Sequence, residues 1–252
     1  MKTHNMKTIV IGDTHGCYNE LKSLIATLEK NKEYNKKRDR LIFLGDYIDR
    51  GRDSRKVIGF IKQLQKHNKN VIALMGNHED MLLKYLNRVD ECWTWNGCEA
   101  TIESYKGYEK HFRNDVEWMR NLPLYYEDEH CIYVHAGIDI DKSMEEQDKH
   151  TLLWVREPFI YNSGKCNKQV IFGHTPTLML GGEDKPVRTY NGNLAIDTGC
   201  VYNGALTALI LDNGKIDKFY QQKKIKENYN ETKQNKRSKY NKRNKKNKKV
   251  NV

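Results

Sequence analysis

The first third of the chain alternates between short apolar runs and segments in which hydrophobic residues follow helical spacing. The runs at residues 8–11, 41–44 and 71–74 are typical of strands that are buried on both faces. Between them, apolar residues at 21, 24, 25 and 28, and again at 57, 58, 61 and 64, recur with the period of a helix. The resulting β-α-β-α-β order predicts a parallel sheet with crossover helices.

The second half of the chain has a different pattern. Residues 79–122 are predicted to be mostly helical, with Trp93, Trp95, Tyr105 and Trp118 as packing anchors. Strands are then predicted at 131–134, 169–172, 194–196, 206–211 and 215–220, the last two joined by a DNG hairpin turn. These strands predict a second sheet, either mixed or antiparallel. The predicted fold class is therefore α/β, a four-layer sandwich of two mixed sheets flanked by helices.

The net charge of +11 is confined to the C-terminal end of the chain. Residues 223–252 contain 13 Lys or Arg and 2 Asp or Glu, so residues 1–222 hold 31 charges of each sign. The terminal segment is rich in Lys and Asn and has no hydrophobic periodicity, so we expect a disordered tail. It is interpreted as a solubilising tail, with weak binding of anionic polymers through its charge as the alternative.

Six cysteines are scattered along the chain without a CxxC pair or a ladder of short spacings. That pattern disfavours a zinc ribbon and a disulfide-bonded scaffold, and reduced thiols are the plain interpretation. No stretch approaches 18 apolar residues, and the polar N-terminus runs straight into a predicted strand. The sequence thus predicts a cytoplasmic protein with neither a signal peptide nor a segment inserted in a membrane.

Each of the first three predicted strands leads to a glycine that is followed directly by a side chain able to bind metal. Asp13 and Asp46 would meet at neighbouring strand ends, and two buried carboxylates are costly unless a cation separates them. Asp13 and His15 are separated by one loop residue, so both can point at one ion. The candidate metal ligands are Asp13, His15, Asp46, Asn77, His135 and His174. This mixed oxygen and nitrogen set suits Mn, Fe or Zn better than Mg or Ca.

Other side chains suit phosphate chemistry without having to contact a metal. Arg50 and Arg156 can each place two donors on phosphate oxygens. His78 lies next to a candidate ligand and could protonate the departing alkoxide, with Asp49 holding its ring and keeping it cationic. Asn77 is a candidate substrate contact as well as a metal ligand. For Asp49 and Arg50 the alternatives, a helix-capping aspartate and a surface arginine, stay open.

Six short motifs together resemble one family of enzymes. They are GDTHG (12–16), GDYIDRG (45–51), GNHE (76–79), HAG (135–137), WVR (154–156) and GHT (173–175). The set resembles the phosphoprotein phosphatase family of calcineurin-like metallophosphoesterases, and most closely its small bacterial and bacteriophage serine/threonine protein phosphatases. The resemblance extends from residue 7 to about residue 220. It implies the calcineurin-like metallophosphoesterase fold, with residues 1–222 as the catalytic domain and residues 223–252 as the basic tail.

The resemblance also implies a dinuclear metal centre with two divalent ions, Mn²⁺ in preference to Fe or Zn. By position, one ion would be bound by Asp13, His15 and Asp46, and the other by Asp46, Asn77, His135 and His174. A hydroxide bridging the ions would attack phosphorus directly while Arg50 and Arg156 bind the phosphoryl oxygens, and His78, supported by Asp49, would be the general acid. The implied enzyme is a phosphomonoester hydrolase, specifically a protein serine/threonine phosphatase acting on phosphoproteins or phosphorylated small molecules.

One position departs from the protein phosphatase pattern. Protein phosphatases of this family usually carry arginine immediately before GNHE, whereas this chain has Met75. The related symmetrical dinucleoside tetraphosphate hydrolases usually carry an aliphatic residue there, but they typically have GNHD and lack an aspartate equivalent to Asp49. Glu79 and Asp49 thus favour a phosphatase, and Met75 favours the hydrolase. A symmetrical dinucleoside tetraphosphate (Ap4A) hydrolase is the alternative function.

Overall fold

Two mixed sheets of five strands each form the centre of the computed structural model, which describes residues 6–164 and 166–225. The strands are β1 (Lys7–Ile11), β2 (Arg40–Phe43), β3 (Val71–Ala73), β4 (Tyr125–Glu127), β5 (Cys131–Val134), β6 (Gln169–Phe172), β7 (Val187–Arg188), β8 (Leu194–Ala195), β9 (Ala205–Asp212) and β10 (Lys215–Lys223). The α-helices are α1 (Tyr18–Lys30), α2 (Ser54–His67), α3 (Asn77–Leu86), α4 (Cys98–Tyr105), α5 (Glu109–Arg120), α6 (Lys149–Trp154) and α7 (Glu157–Ile160). The predicted arrangement of two mixed sheets flanked by helices is confirmed.

The first sheet has the strand order β10-β9-β1-β2-β3. β1 pairs in parallel with β2, and β2 pairs in parallel with β3, as the β-α-β-α-β pattern predicts. The connecting helix α1 buries the residues that define its helical spacing, which are Leu21, Leu24, Ile25 and Leu28. Because these three strands run in the same direction, the loops at their carboxyl ends begin along one edge of the sheet.

The hairpin β9–β10 belongs to the first sheet, so its predicted place in the second sheet is wrong. β9 pairs antiparallel with β1 on the side away from β2, and β10 pairs with β9. Ile210 of β9 packs in the core beneath the helices, whereas Leu209 packs in the core between the sheets. A strand that is apolar on both faces is stable only where both faces are covered, and the place beside β1 meets that condition.

The second sheet has the strand order β4-β5-β6-β8-β7 and packs against the first. Alternate residues of each strand face opposite layers. In β1, Ile9 and Ile11 pack beneath helices, whereas Val10 contributes to the core between the sheets. In β5, Tyr133 lies in that same inter-sheet core, and Val134 packs in a third cluster that includes residues of α6 and α7. This sorting by alternate residues holds the four layers together.

Residues 79–122 are mostly helical, as predicted, and include α4, α5 and most of α3. Trp93 and Tyr105 are buried, and Trp118 packs against the core as a partly buried side chain. Trp95 is 82% exposed, so its predicted role as a packing anchor is wrong. Trp93 and Trp95 lie in one short 3₁₀ turn, where residues two apart point to different sides.

The last strand runs one residue past the expected domain boundary at residue 222. β10 ends at Lys223, and the Lys224 N–H donates to the carbonyl of Gly204 at 3.0 Å. The disordered tail predicted from the composition falls mainly on residues 226–252, which lie outside the described residues. Within residues 6–164 and 166–225, no helix is both long enough and apolar enough to cross a membrane.

Candidate metal centre

Loops at the carboxyl ends of strands from both sheets bring the six candidate metal ligands together. They are Asp13 and His15 after β1, Asp46 after β2, Asn77 at the start of α3, His135 after β5 and His174 after β6. Asp46 lies at the centre, with its Oδ2 3.3 Å from His15 Nε2 and its Oδ1 3.5 Å from His135 Nε2. The two sheets therefore contribute to a single cluster of buried polar groups. We call these six side chains the metal cluster.

The rings of His15 and His135 are oriented by backbone carbonyls. His15 Nδ1 lies 2.8 Å from the carbonyl oxygen of Ile48, and His135 Nδ1 lies 2.9 Å from that of Leu44. A carbonyl only accepts, so each Nδ1 must donate, and in a neutral ring Nε2 then carries a lone pair. Both Nε2 atoms face the Asp46 carboxylate. Lone pairs that converge on a buried carboxylate repel one another unless a cation lies between them.

The second half of the cluster shows the same convergence of electron-pair donors. Asn77 Oδ1 lies 2.9 Å from His135 Nε2 and 3.0 Å from His174 Nδ1. Asp13 Oδ1 and His174 Nε2 are buried without a hydrogen-bond partner in the described part of the chain. An unpartnered buried carboxylate oxygen costs free energy that a bound cation would recover. The residues present thus fit a site for divalent ions.

Two groups of three side chains share Asp46, and in each group the ligand atoms lie within 4.8 Å of one another. One group is Asp46, His135 and His174, which are three of the four residues that the resemblance assigns to one ion. The other is His15, Asp46 and His78, so here His78 stands where the sequence places Asp13. Asp13 contacts the cluster through its Oδ2, which accepts the backbone N–H of His174 at 3.0 Å.

Burial and charge act in opposite directions on the carboxyls of the cluster. Burial favours the protonated form of Asp46, but the neighbouring His135, His78 and His15 hold its pKa well below the usual value. Burial raises the pKa of Asp13 well above the usual value, and the charges of Asp197 and Asp46 add to that rise. Three buried carboxylates, Asp13, Asp46 and Asp197, therefore lie within electrostatic reach of one another. Two divalent cations would neutralise this charge.

Asp49 and His78 form a buried pair, with Asp49 Oδ2 2.7 Å from His78 Nδ1. Asp49 also accepts from Trp93 Nε1 at 2.9 Å and from Thr101 Oγ1 at 2.7 Å. These contacts decide against the helix-capping alternative, and Asp53 is the N-cap residue of α2 instead. Burial lowers the pKa of His78 despite the nearby Asp46 and Asp49. Asp49 thus orients the ring and favours its protonated form, against the effect of burial.

Arg50 and Arg156 both line one cavity of about 680 Å³, which also exposes Asp46, Asn77 and His174. Arg50 Nη1 lies 2.6 Å from His15 Nε2, so its guanidinium reaches the cluster and is not merely a surface charge. Arg156 Nη1 lies 3.9 Å from the sulfur of Met179 on the cavity wall. Guanidinium groups so placed can bind phosphoryl oxygens at the metal cluster.

Several residues that shape the site were not predicted from the sequence to support it. Glu79 accepts the backbone N–H groups of Asp46 at 2.9 Å and Tyr47 at 2.8 Å, and so fixes the loop after β2. Trp93 and Thr101 hold Asp49. Glu79 occurs in the GNHE motif and offered a signal, whereas Trp93 and Thr101 lie in helical sequence with no chemical pattern of their own.

The backbone at five of the proposed site residues is left-handed. The φ angles are 37° at His15, 53° at Asp46, 70° at Asp49, 65° at Arg50 and 62° at His174. Such φ values are uncommon outside glycine and cost of order 1 kcal/mol or more each. They occur together at this cluster, which indicates that the loops are shaped for the site at some expense in stability.

Comparisons with known proteins agree on a family. The family model described as calcineurin-like phosphoesterase matches residues 6–217. The asymmetrical bis(5'-nucleosyl)-tetraphosphatase PrpE of Oceanobacillus iheyensis is 33% identical over 231 residues, covering 81% of this chain and 88% of that protein. The match therefore includes almost all of the described domain.

Solved structures show the same fold at lower sequence identity. A candidate diadenosine tetraphosphatase superposes with a TM-score of 0.64 at 19% identity, covering 90% of this chain and 97% of its own. A protein serine/threonine phosphatase from Saccharomyces cerevisiae superposes with a TM-score of 0.61 at 16% identity, covering 90% and 82%. Identities this low establish the architecture and leave the substrate to the site itself.

Proposed function

The chain belongs to the calcineurin-like phosphoesterase family, and on that premise we propose that it cleaves bis(5'-nucleosyl) tetraphosphates with the help of two divalent metal ions. The main support for this proposal is the cavity of about 680 Å³, which is lined by Asp46, Asn77 and His174. A phosphate group alone would fill a small part of it. Cavities of about 300–1,000 Å³ with apolar walls are of the size that buries a whole small ligand.

The name of the relative supports an asymmetrical cut. Asymmetrical cleavage of a dinucleoside tetraphosphate gives a nucleoside monophosphate and a nucleoside triphosphate, whereas symmetrical cleavage gives two diphosphates. The sequence alone suggested the symmetrical reaction as the alternative. The relative that is 33% identical is named for the asymmetrical one, and we propose that reaction for this chain.

Each proposed role follows from the position of a side chain. Two divalent ions at the cluster, with Mn²⁺ as the proposed metal, would supply Lewis acidity and an activated water. Their ligands would be Asp13, His15, Asp46, Asn77, His135 and His174. Arg50 and Arg156 bind the phosphoryl oxygens, and Asn77 contributes a further contact to substrate. His78, oriented by Asp49, gives a proton to the leaving oxygen.

Met75 supports a substrate other than a phosphoprotein. The side chain is buried and packs in the core beneath the helices, and its backbone N–H donates to the carbonyl of Pro123 at 2.9 Å. The arginine that protein phosphatases of the family usually carry at this position is therefore absent, and a core methionine fills its place. The proposed clamp on the phosphoryl group thus rests on Arg50 and Arg156.

A protein serine/threonine phosphatase is the second candidate. The observation that favours it is the buried Asp49–His78 pair, whose 2.7 Å contact is suited to protonating a poor leaving group. A serine alkoxide needs such an acid more than a phosphate leaving group does, because the alkoxide is the much stronger base. The two candidates share the metal cluster and differ only in substrate.

Product analysis separates the candidates. The Mn-loaded full chain is incubated with diadenosine tetraphosphate and, in parallel, with a phosphoserine peptide, and nucleotides and phosphate are resolved by chromatography. We expect AMP and ATP in equal amounts, with much slower phosphate release from the peptide. ADP alone would establish the symmetrical reaction. An untouched tetraphosphate with a rapidly cleaved peptide would refute the proposal in favour of a protein phosphatase. Asp46→Asn is the inactive control.

A further inference from the structure

Three large apolar side chains stand exposed on the cavity wall beside the metal cluster. Leu178 is 70% exposed, Met179 is 65% exposed and Tyr202 is 53% exposed. All three line the cavity that also contains Asp46 and His174. Large apolar side chains that are exposed to solvent next to each other at the opening of a cavity indicate a surface that binds a ligand.

These exposed side chains are carried by two short turns with buried anchors. Leu178 and Met179 lie on the 3₁₀ turn Thr177–Leu180, and Tyr202 ends the 3₁₀ turn Cys200–Tyr202. Both turns are tied to Asp197. Its backbone carbonyl accepts the N–H of Thr177 at 2.8 Å, and its Oδ1 accepts the N–H of Gly199 at 3.1 Å. These hydrogen bonds fix the backbone of both turns, which keeps the apolar side chains exposed to the cavity.

Two of the exposed side chains, Tyr202 and Met179, each lie next to one of the proposed phosphate clamps. The Arg50 guanidinium carbon lies 5.5 Å from the centre of the Tyr202 ring. Arg156 Nη1 lies 3.9 Å from the sulfur of Met179. A phosphoryl group bound by both arginines would thus lie close to an aromatic ring and to an apolar side chain.

The charges that line the cavity differ in sign from place to place. Arg50 and Arg156 provide positive charge near the metal cluster. Glu183, Asp184 and Lys223 also line the cavity, and Asp184 forms an ion pair with Lys223. Carboxylates repel phosphate but accept hydrogen bonds from hydroxyl and amino groups. A nucleoside joined to a phosphate carries both kinds of group, so its charge pattern complements that of the cavity.

We propose that Tyr202, Leu178 and Met179 form a subsite for the base and ribose of one nucleoside of the substrate, an inference that rests on the proposed function. The base stacks on the ring of Tyr202 and contacts the aliphatic side chains. Glu183 is placed to accept from a hydroxyl or amino group of the nucleoside. The phosphate attached to this nucleoside lies at Arg50 and Arg156.

Competitive inhibition tests the subsite separately from tetraphosphate cleavage. The inhibition constants of AMP and of inorganic phosphate are measured against p-nitrophenyl phosphate, for the wild type, Tyr202→Ala, Tyr202→Phe and Leu178→Asn. We expect the inhibition constant of AMP to rise about tenfold in Tyr202→Ala, because stacking on an aromatic ring is lost. Leu178→Asn should raise it as well, because an apolar contact with the nucleoside is lost. Tyr202→Phe, which keeps an aromatic ring, should leave the inhibition constant of AMP near the wild-type value.

The inhibition constant of inorganic phosphate is the internal control, because phosphate contacts the arginines and not the apolar walls. It should stay within about twofold in Tyr202→Ala, and a rise as large as that for AMP would overturn the subsite. An unchanged inhibition constant of AMP in Tyr202→Ala would overturn the subsite even if the tetraphosphate is cleaved. A rise in the inhibition constant of AMP, without a rise in that of phosphate, supports the subsite. If the same enzyme preparation leaves the tetraphosphate intact, only the proposed function is refuted.

Discussion

His78 Nδ1 lies 2.7 Å from Asp49 Oδ2, and both side chains are buried beside the metal cluster. The contact fixes the ring of His78 so that its other nitrogen faces the cavity side, 4.0 Å from Asp46 Oδ2. A histidine held in this way can give a proton to a leaving oxygen without acting as a metal ligand.

His78→Asn should affect the two candidate substrates unequally. A phosphate leaving group, with a second pKa of roughly 6, needs little protonation, whereas a serine alkoxide needs a great deal. We expect kcat on a phosphoserine peptide to fall by about 10²–10³-fold, and kcat on diadenosine tetraphosphate to fall by about tenfold or less. Steady-state kinetics on both substrates provides the measurement. Equal losses would argue against a general acid and for a role of His78 at the metal cluster.

Trp93→Phe should lower activity although Trp93 touches neither cluster nor cavity. Its Nε1 donates to both carboxylate oxygens of Asp49, at 3.0 and 2.9 Å. Losing this donor should cost about 1 kcal/mol in stability and loosen His78, lowering kcat about threefold to tenfold. Trp118→Phe is the matched control, because Trp118 Nε1 donates to Gln65 at 2.9 Å, within the helical layer. Denaturant unfolding and kcat are measured on both variants. An equal loss of activity in Trp118→Phe would contradict the account.

Gly76→Ala should disrupt the cluster through Asp46. A Cβ at Gly76 would overlap the Oδ1 and the backbone nitrogen of Asp46, and the backbone nitrogen cannot move aside without shifting the loop after β2. We expect loss of most bound metal and of most activity. Gly59→Ala is the control, since its Cβ would meet nothing within 4 Å inside α2, and alanine should add about 0.5–1 kcal/mol of stability there. Metal content and thermal unfolding are measured on both variants, and only Gly76→Ala should lose metal.

Glu33 should make stability depend on acid pH. Its hydrogen bonds from Lys7 at 2.7 Å and Lys218 at 3.0 Å lower the pKa of Glu33 to about 2. A folded-state pKa below the unfolded value means that the carboxylate stabilises the fold above about pH 4.5. That stabilisation is lost progressively as the pH falls towards 2. Glu33→Gln should cost about 1 kcal/mol at pH 7.

The check on Glu33 is a set of urea unfolding curves for wild type and Glu33→Gln between pH 7 and pH 3.5. The difference between the two proteins should be constant near neutrality and should shrink below about pH 4.5. A difference that grows towards acid pH would mean that the sign is wrong.

The first three strands and the ligands after them could be predicted because both follow from local pattern. An apolar run that leads to glycine and then to Asp13, Asp46 or Asn77 places those side chains at one sheet edge whatever the rest of the chain does. The pairing of β9 with β1 could not be read in this way, because it joins segments about 200 residues apart and depends on which edge is left uncovered. Long-range pairing of this kind carries no local signal.

The side chains that hold the site residues in place could not be predicted from the sequence. Trp93 and Trp95 look alike in the sequence WTWNG (93–97), yet Trp93 donates to Asp49 and Trp95 is exposed to solvent. The difference depends on where Asp49 lies in the fold, which the local sequence does not state. The left-handed backbone at His15 and Asp46 was equally hidden, since neither residue type requires that conformation.

Metal stoichiometry tests the central claim, a dinuclear centre built around Asp46, most directly. Wild type, Asp46→Asn and the surface control Asp217→Asn are stripped with a chelator, dialysed against Mn²⁺ and then against metal-free buffer, and analysed by elemental analysis. Because Asp46 lies between the two groups of ligands, we predict two ions per chain in the wild type and the control, and less than one in Asp46→Asn. Two ions retained by Asp46→Asn, or none bound by the wild type, would contradict the account.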